Sequence, residues 1–303
     1  MNKSKYSGII PAFYACYDKS GNINPQAVRQ FTRHLIGKGV AGLYVGGSSG
    51  ECIYQSVAER KLVLENVMQE AKGKITVIAH VACNNTQDSC ALAAHAESLG
   101  VDAIAAIPPI YFRLPDHAIA DYWNAISASA PNTDFIIYNI PQLAGVALTP
   151  NCLKNMLKNP RLVGVKNSSM PTMDIQTFKM IGGKDFVVFN GPDEQLAAGL
   201  AMGADGGIGG TYGLMPELYI QIKACMDAGN TDKACQLQLQ ANRIIEKLVC
   251  CQGNLYAVMK EIIKLREGLD LGSVRSPLPA LTEADLPKVR EAAQLVDEVL
   301  ASL

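Results

Sequence analysis

Short apolar runs recur along the 303-residue chain, with starts 20 to 34 residues apart. They read GIIPAFYAC from Gly8, GLYVG from Gly42, ITVIAHV from Ile75 and AIAAIP from Ala103. DFIIYNI from Asp134, LVGVKNS from Leu162, FVVFN from Phe186 and GGIGG from Gly206 complete the series. The stretches between them carry helical spacing, and such alternation predicts parallel βα units. Several helices have start signals. Asn24-Pro25 and Thr149-Pro150 each place a cap residue before proline at the first helical position. Ser56 and Glu59 form a capping box ahead of VAERKLVLENVMQEAKGK. Thr86 reads as a further cap, with Leu92, Ala93, Ala96 and Leu99 spaced to face a sheet. Eight such units predict a closed (β/α)8 TIM barrel; an open doubly wound sheet is the alternative.

Past residue 214 the strand signals stop. Helical patterns begin at Pro216, Thr231, Leu255 and Glu283. Only the first is needed as the barrel's eighth helix. The organisation expected is therefore a barrel over residues 1–230 and a helical extension over 231–303 packed on it. Gly253-Asn254 and Ser276-Pro277-Leu278-Pro279 mark the breaks within the extension.

Composition narrows the class. Hydrophobic residues make up 49% and charged residues 18%, enough for a large core and against disorder. Net charge is −1 with no basic block, which argues against nucleic acid and anionic membrane surfaces as partners. No run approaches a membrane span, and the apolar N-terminal run is too short and broken for a signal peptide. The nine cysteines are odd in number and lack a CxxC pair, so they read as reduced thiols in a cytoplasmic protein.

Candidate chemistry follows from the barrel. Its active site lies at the C-terminal ends of the strands. Lys166 ends the sixth strand, and period-2 alternation puts it on one face with Gly164 and Ser168. On this segment alone, Lys166 is either a solvated residue of an edge strand or a partly neutral nucleophile. Gly164, one inward position earlier, would leave room for the long side chain. Tyr138 ends the fifth strand, and the loop Gly46-Gly-Ser-Ser-Gly-Glu51 follows the second. That loop lacks the GK[ST] ending of a phosphate-binding loop. Singly, the tyrosine reads as core and the loop as a turn; together they converge on one end of the barrel. A desolvated lysine attacks a ketone to give an imine, a tyrosine moves the proton, and paired serines with backbone N–H groups hold a carboxylate. No metal is expected. His34, His95 and His117 lack ligand spacing, and His80 reads as a satisfied core histidine.

The motifs GGSSGE, YNIP, GVKNSS and NGPDEQLAAGLAMGADGGIGGTYG, read together, resemble the N-acetylneuraminate lyase and dihydrodipicolinate synthase family of class I, lysine-dependent pyruvate aldolases. The likeness runs from about residue 6 to the C-terminus. It implies that Lys166 forms a Schiff base and that Tyr138 transfers protons. It further implies that Ser48 and Ser49 hold the pyruvate carboxylate and assist the relay. Tyr111, in PPIYF, would reach a neighbouring subunit's site in a homotetramer. No cofactor is implied.

Within the family, synthases carry an arginine shortly after YN-x-P, where this chain has Leu143. NGPDE resembles the lyase loop in which Gly191, Asp193 and Glu194 contact a sugar acid's hydroxyl chain. Both features lean to the sialic acid lyase branch, which cleaves N-acetylneuraminate to pyruvate and N-acetylmannosamine. Dihydrodipicolinate synthase, an aldolase for another 2-oxo sugar acid, and a non-catalytic sugar-acid sensor are the alternatives. The chain departs from lyase habit at Ser49 and Ser168, where threonine is usual, at Met170-Pro171, and at Gly210, where a sugar-contacting serine is usual.

Overall fold

The computed structural model describes residues 3–303. Eight strands form one parallel sheet: β1 Gly8–Pro11, β2 Gly42–Val45, β3 Thr76–His80, β4 Ala103–Ala106, β5 Asp134–Asn139, β6 Leu162–Asn167, β7 Val187–Asn190 and β8 Gly206–Gly209. Sheet order is β1-β8-β7-β6-β5-β4-β3-β2. The seam between β1 and β2 is joined by Ala41 N–H donating to Ile9 O at 2.9 Å and Phe13 N–H donating to Tyr44 O at 2.9 Å. The result is a TIM barrel, and the open-sheet alternative is set aside. Every strand begins within one residue of the apolar run that predicted it.

Helices α1 Pro25–Gly37, α2 Val57–Ala71, α3 Thr86–Leu99 and α4 Asp116–Ala128 follow the first four strands. A short turn of helix, α5 Pro141–Ala144, precedes α6 Pro150–Met156, and α7 Met173–Gly182, α8 Leu196–Ala201 and α9 Pro216–Asp227 finish the ring. α10 Thr231–Leu248, α11 Leu255–Glu267 and α12 Leu286–Ala301 come after the barrel. Asn24 and Thr149 cap α1 and α6, and Ser56 with Glu59 closes a full capping box on α2. Thr86 is not a cap. Asn85 takes that place, its side chain accepting from Asp88 N–H at 2.7 Å, and Thr86 becomes the first helical residue. Asn ranks above Thr as an N-cap, and the two stand side by side here.

Two apolar layers result. Ile10, Tyr44, Ile78, Ala105, Ile136 and Phe189 belong to the group that fills the barrel, while the helices pack on its outside through a larger, separate cluster. Gly164 is paired in register with Ile136 and Val187. A Cβ placed there would sit 2.4 Å from the Val187 carbonyl oxygen. The glycine thus admits the neighbouring strand. None of the nine cysteines is in a disulfide. No helix among the described residues is long and apolar enough to cross a membrane.

Candidate active site

Lys166 sits on β6 between β5 and β7, so the strand has no free edge, and the residue is only 4% exposed. The solvated-edge reading therefore fails. Its Nζ lies 3.9 Å from the ring centroid of Tyr138 and 4.4 Å from that of Tyr44, with which it makes cation–π contacts. Burial pushes its pKa down to about 7, opposed by the Asp193 carboxylate. Only one other lysine among the described residues is buried, Lys260, and that one is ion-paired to Glu51 at 2.8 Å. Among the described residues no salt bridge neutralises Lys166, and at neutral pH a large share of it is the free amine.

Lys166 opens into a cavity of about 330 Å³ at the C-terminal end of the barrel. Ser48, Ser49, Tyr138, Ser168, Gly191, Asp193, Glu194 and Gly210 share its lining, which brings together every residue proposed from sequence except Tyr111. The parallel register explains the convergence, since Tyr138 on β5 stands directly beside Lys166 on β6. Ser48 and Ser49 lie on a single turn of 3₁₀ helix, Ser48–Gly50, just beyond β2. Tyr138 is pushed up to about 12 by burial, while hydrogen bonds from Ser168 and Ser48 pull the other way. It is held as the neutral phenol.

The far side of the cavity is acidic. Asp193 and Glu194 follow β7 in a second 3₁₀ turn. Asp193 Oδ2 accepts from the Thr211 N–H and hydroxyl, each at 2.6 Å, and burial raises its pKa to about 6. Gly191 is needed for close approach: a Cβ there would lie 2.0 Å from Ser168 Oγ and 2.7 Å from Asn167 O. Gly210 is different. The nearest atom to a Cβ there is Ser49 Oγ at 3.5 Å, so the position has room for a side chain. Leu143 and Met170 also line the wall. Among the lining residues Lys166 is the sole cation, and none of the four histidines is present.

Tyr111 stands apart, 89% exposed, with a left-handed backbone and its ring edge-on to Phe112. It takes no part in its own chain's cavity. His80 is only half satisfied. One ring nitrogen, Nδ1, lies 2.9 Å from Gly46 O, but Nε2 has no protein partner. Burial and the neighbouring Arg60 charge bring its pKa down to about 3, so it is neutral.

Sequence reasoning missed the contribution of the C-terminal helices. Ile245, Val249, Leu255 and Tyr256 close one wall of the cavity, and Tyr256 accepts a hydrogen bond from Ser49 at 3.2 Å. Gln238 and Asn242 on α10 donate to the backbone oxygens of Asp193 and Glu194 at 3.0 and 3.1 Å, fastening the acidic turn.

The Dihydrodipicolinate synthetase family matches residues 5–296. The chain belongs to this family. It is 63% identical to the N-acetylneuraminate lyase of Mediterraneibacter gnavus over 295 residues, covering 97% of this chain and 94% of that protein. It is 36% identical to that of Salmonella agona over 291 residues, 96% of this chain and 97% of the relative. The wild-type sialic acid aldolase of Ruminococcus gnavus superposes with a TM-score of 0.98 at 62% identity, over 98% of this chain and 99% of the other. A dihydrodipicolinate synthase from Bacillus anthracis superposes with a TM-score of 0.89 at 25% identity, over 95% and 98%.

Proposed function

We propose that the protein is a Schiff-base-forming lyase that cleaves N-acetylneuraminate to pyruvate and N-acetylmannosamine. One observation carries the chemistry: a buried lysine, in no salt bridge among the described residues, opens on a cavity beside a neutral tyrosine. The free amine of Lys166 attacks the C2 ketone of the open-chain sugar acid. Tyr138 gives its proton to the departing hydroxyl of the carbinolamine, which leaves as water. The resulting phenolate takes the proton of the C4 hydroxyl as the C3–C4 bond breaks. The electron pair passes to the iminium nitrogen, giving an enamine and the free aldehyde. Tyr138 returns the proton to C3, and water releases pyruvate and the amine. Ser48 and Ser49 hold the substrate carboxylate.

The branch rests on charge. A synthase must bind the carboxylate of aspartate semialdehyde, for which a bidentate arginine is the natural partner. The cavity lining holds no arginine, and Leu143 occupies its wall. An unpaired carboxylate there would cost several kcal/mol. Asp193, Glu194, Gly191 and Ser168 instead offer acceptors and room for a polyhydroxyl chain. The relatives named N-acetylneuraminate lyase, at 63% and 36% identity, favour the same branch. Pyruvate release is expected from N-acetylneuraminate in a panel of 2-oxo acids, with little condensation of pyruvate and aspartate semialdehyde. The reverse pattern would assign the chain to the synthase branch.

Gly210 gives a second test of the sugar-acid reading. A Cβ there meets nothing closer than 3.5 Å, so the backbone position accepts a side chain in Gly210→Ser. A restored hydroxyl worth about 0.5–1.5 kcal/mol should raise kcat/KM for N-acetylneuraminate about 2–10-fold. An unchanged kcat/KM would place the substrate chain elsewhere, and a loss would mean that the new side chain crowds it.

Tyr111 belongs to the same reading in a homotetramer, where it reaches the cavity of an adjacent subunit; its exposure and absence from its own cavity are consistent with that role. A cytoplasmic location fits the unpaired thiols and the lack of a candidate membrane helix among the described residues.

A further inference from the structure

Glu51 ends the turn that carries Ser48 and Ser49, its N–H donating to Ser48 O at 3.0 Å. Its backbone is left-handed, at φ 53, a conformation that a glutamate keeps only where its surroundings hold it. Those surroundings come from the far end of the chain. Glu51 Oε1 accepts from Lys260 Nζ at 2.8 Å, and Oε2 accepts from the Arg275 N–H at 2.9 Å. Lys260 also donates to Ser273 O at 2.9 Å. Both partners of the ion pair are buried, and neither lines the cavity. Lys260 lies one helical turn after Tyr256 on α11, so both fall on one helix face. Tyr256 touches Ser49 and Lys260 touches Glu51, two residues on. One face of the helix thus grips the serine turn at two points.

We propose that the Glu51–Lys260 pair is a positioning clamp that sets the Ser48 and Ser49 hydroxyls for the substrate carboxylate, making α11 part of the binding machinery. The inference rests on the imine reading of the cavity and names the residues that orient its carboxylate site. A purely structural ion pair would affect stability alone. The clamp also controls how tightly pyruvate binds.

The test is inactivation by borohydride as a function of pyruvate concentration, which needs no aldehyde. Glu51→Asp keeps the charge but withdraws the carboxylate by one methylene. The half-saturating pyruvate concentration should rise about 10–100-fold, the scale of an ångström-sized misplacement. The inactivation rate at saturating pyruvate should stay near wild type, because Lys166 is untouched. Ser49→Ala should raise half-saturation about tenfold alone and about twofold or less in the Glu51→Asp background, because both changes act on one contact. If Glu51→Asp does not fold, the double variant E51Q/K260M leaves no unpaired buried charge and should show the same weakening. Wild-type half-saturation in a folded variant, or full additivity with Ser49→Ala, overturns the clamp. A wild-type protein that pyruvate and borohydride fail to inactivate overturns the imine reading itself, and the clamp with it.

Discussion

Lys166→Met is expected to abolish both pyruvate release and borohydride trapping, the largest effect of any single change in this chain. Wild-type protein treated with pyruvate and borohydride should gain one reduced pyruvate on the peptide containing Lys166. Labelling at another lysine would refute the mechanism. Lys260 is the natural competitor, being equally buried, but its ammonium is held by Glu51 and Ser273 and lies outside the cavity lining. The pH profile gives an independent reading. With a pKa near 7, the neutral amine of Lys166 accumulates as pH rises through 7 and is nearly complete one to two units above it. Imine formation should therefore climb and level off there, whereas an ordinary lysine would still be titrating near about 10.4.

The same shift predicts a stability effect of opposite sign to the loss of activity. Burial lowers the folded-state pKa below the unfolded value, so the unfolded chain binds more protons between pH 7 and 10.5. The cost is fully present below pH 7 and fades as pH rises towards the unfolded value, amounting to about 5 kcal/mol at most. Methionine fills a similar volume without a charge. Lys166→Met should accordingly unfold at a higher temperature than wild type at pH 6 to 7, with the gap narrowing as pH rises. A nucleophile maintained at the expense of stability is what this comparison would reveal.

The barrel and most of the cavity were legible because both follow from local rules. Apolar runs of five to nine residues, spaced by capped helices, leave few arrangements other than eight parallel units. The parallel register then carries Tyr138 and Lys166 to the same end. What escaped was whatever depends on contacts between distant parts of the chain. Gly164 was expected at an inward position, but the close approach of the Val187 carbonyl of the next strand is something no local pattern reveals. His80 sits on a strand as expected, but the fate of its second nitrogen depends on the barrel's interior packing. The role of α11 was missed for the same reason. Its helical pattern was visible, though not which face meets the serine turn. A signal did exist: Lys260 interrupts the apolar face formed by Ala257, Val258, Met259, Ile262 and Ile263, and all six are buried. A lysine at such a position demands a carboxylate partner, and Glu51 at the end of GGSSGE is that partner.

Tyr138→Phe separates packing from proton transfer. The Tyr138 ring lies edge-on to Tyr44 at 5.7 Å and to His80 at 6.0 Å, and it faces the Lys166 ammonium at 3.9 Å. Phenylalanine preserves those contacts, so the thermal transition should move little. Turnover should fall about 10²–10⁴-fold, the usual worth of a positioned acid–base group. Tyr44 supplies the control. Its ring also faces Lys166, at 4.4 Å, but its hydroxyl is buried without a protein partner and lies outside the cavity lining. Tyr44→Phe should therefore leave turnover nearly unchanged. The two substitutions remove the same atom from rings that touch the same lysine, and differ in whether that atom can reach substrate. Near wild-type turnover in Tyr138→Phe would reduce Tyr138 to packing, and a large loss in Tyr44→Phe would move the proton relay to the other ring.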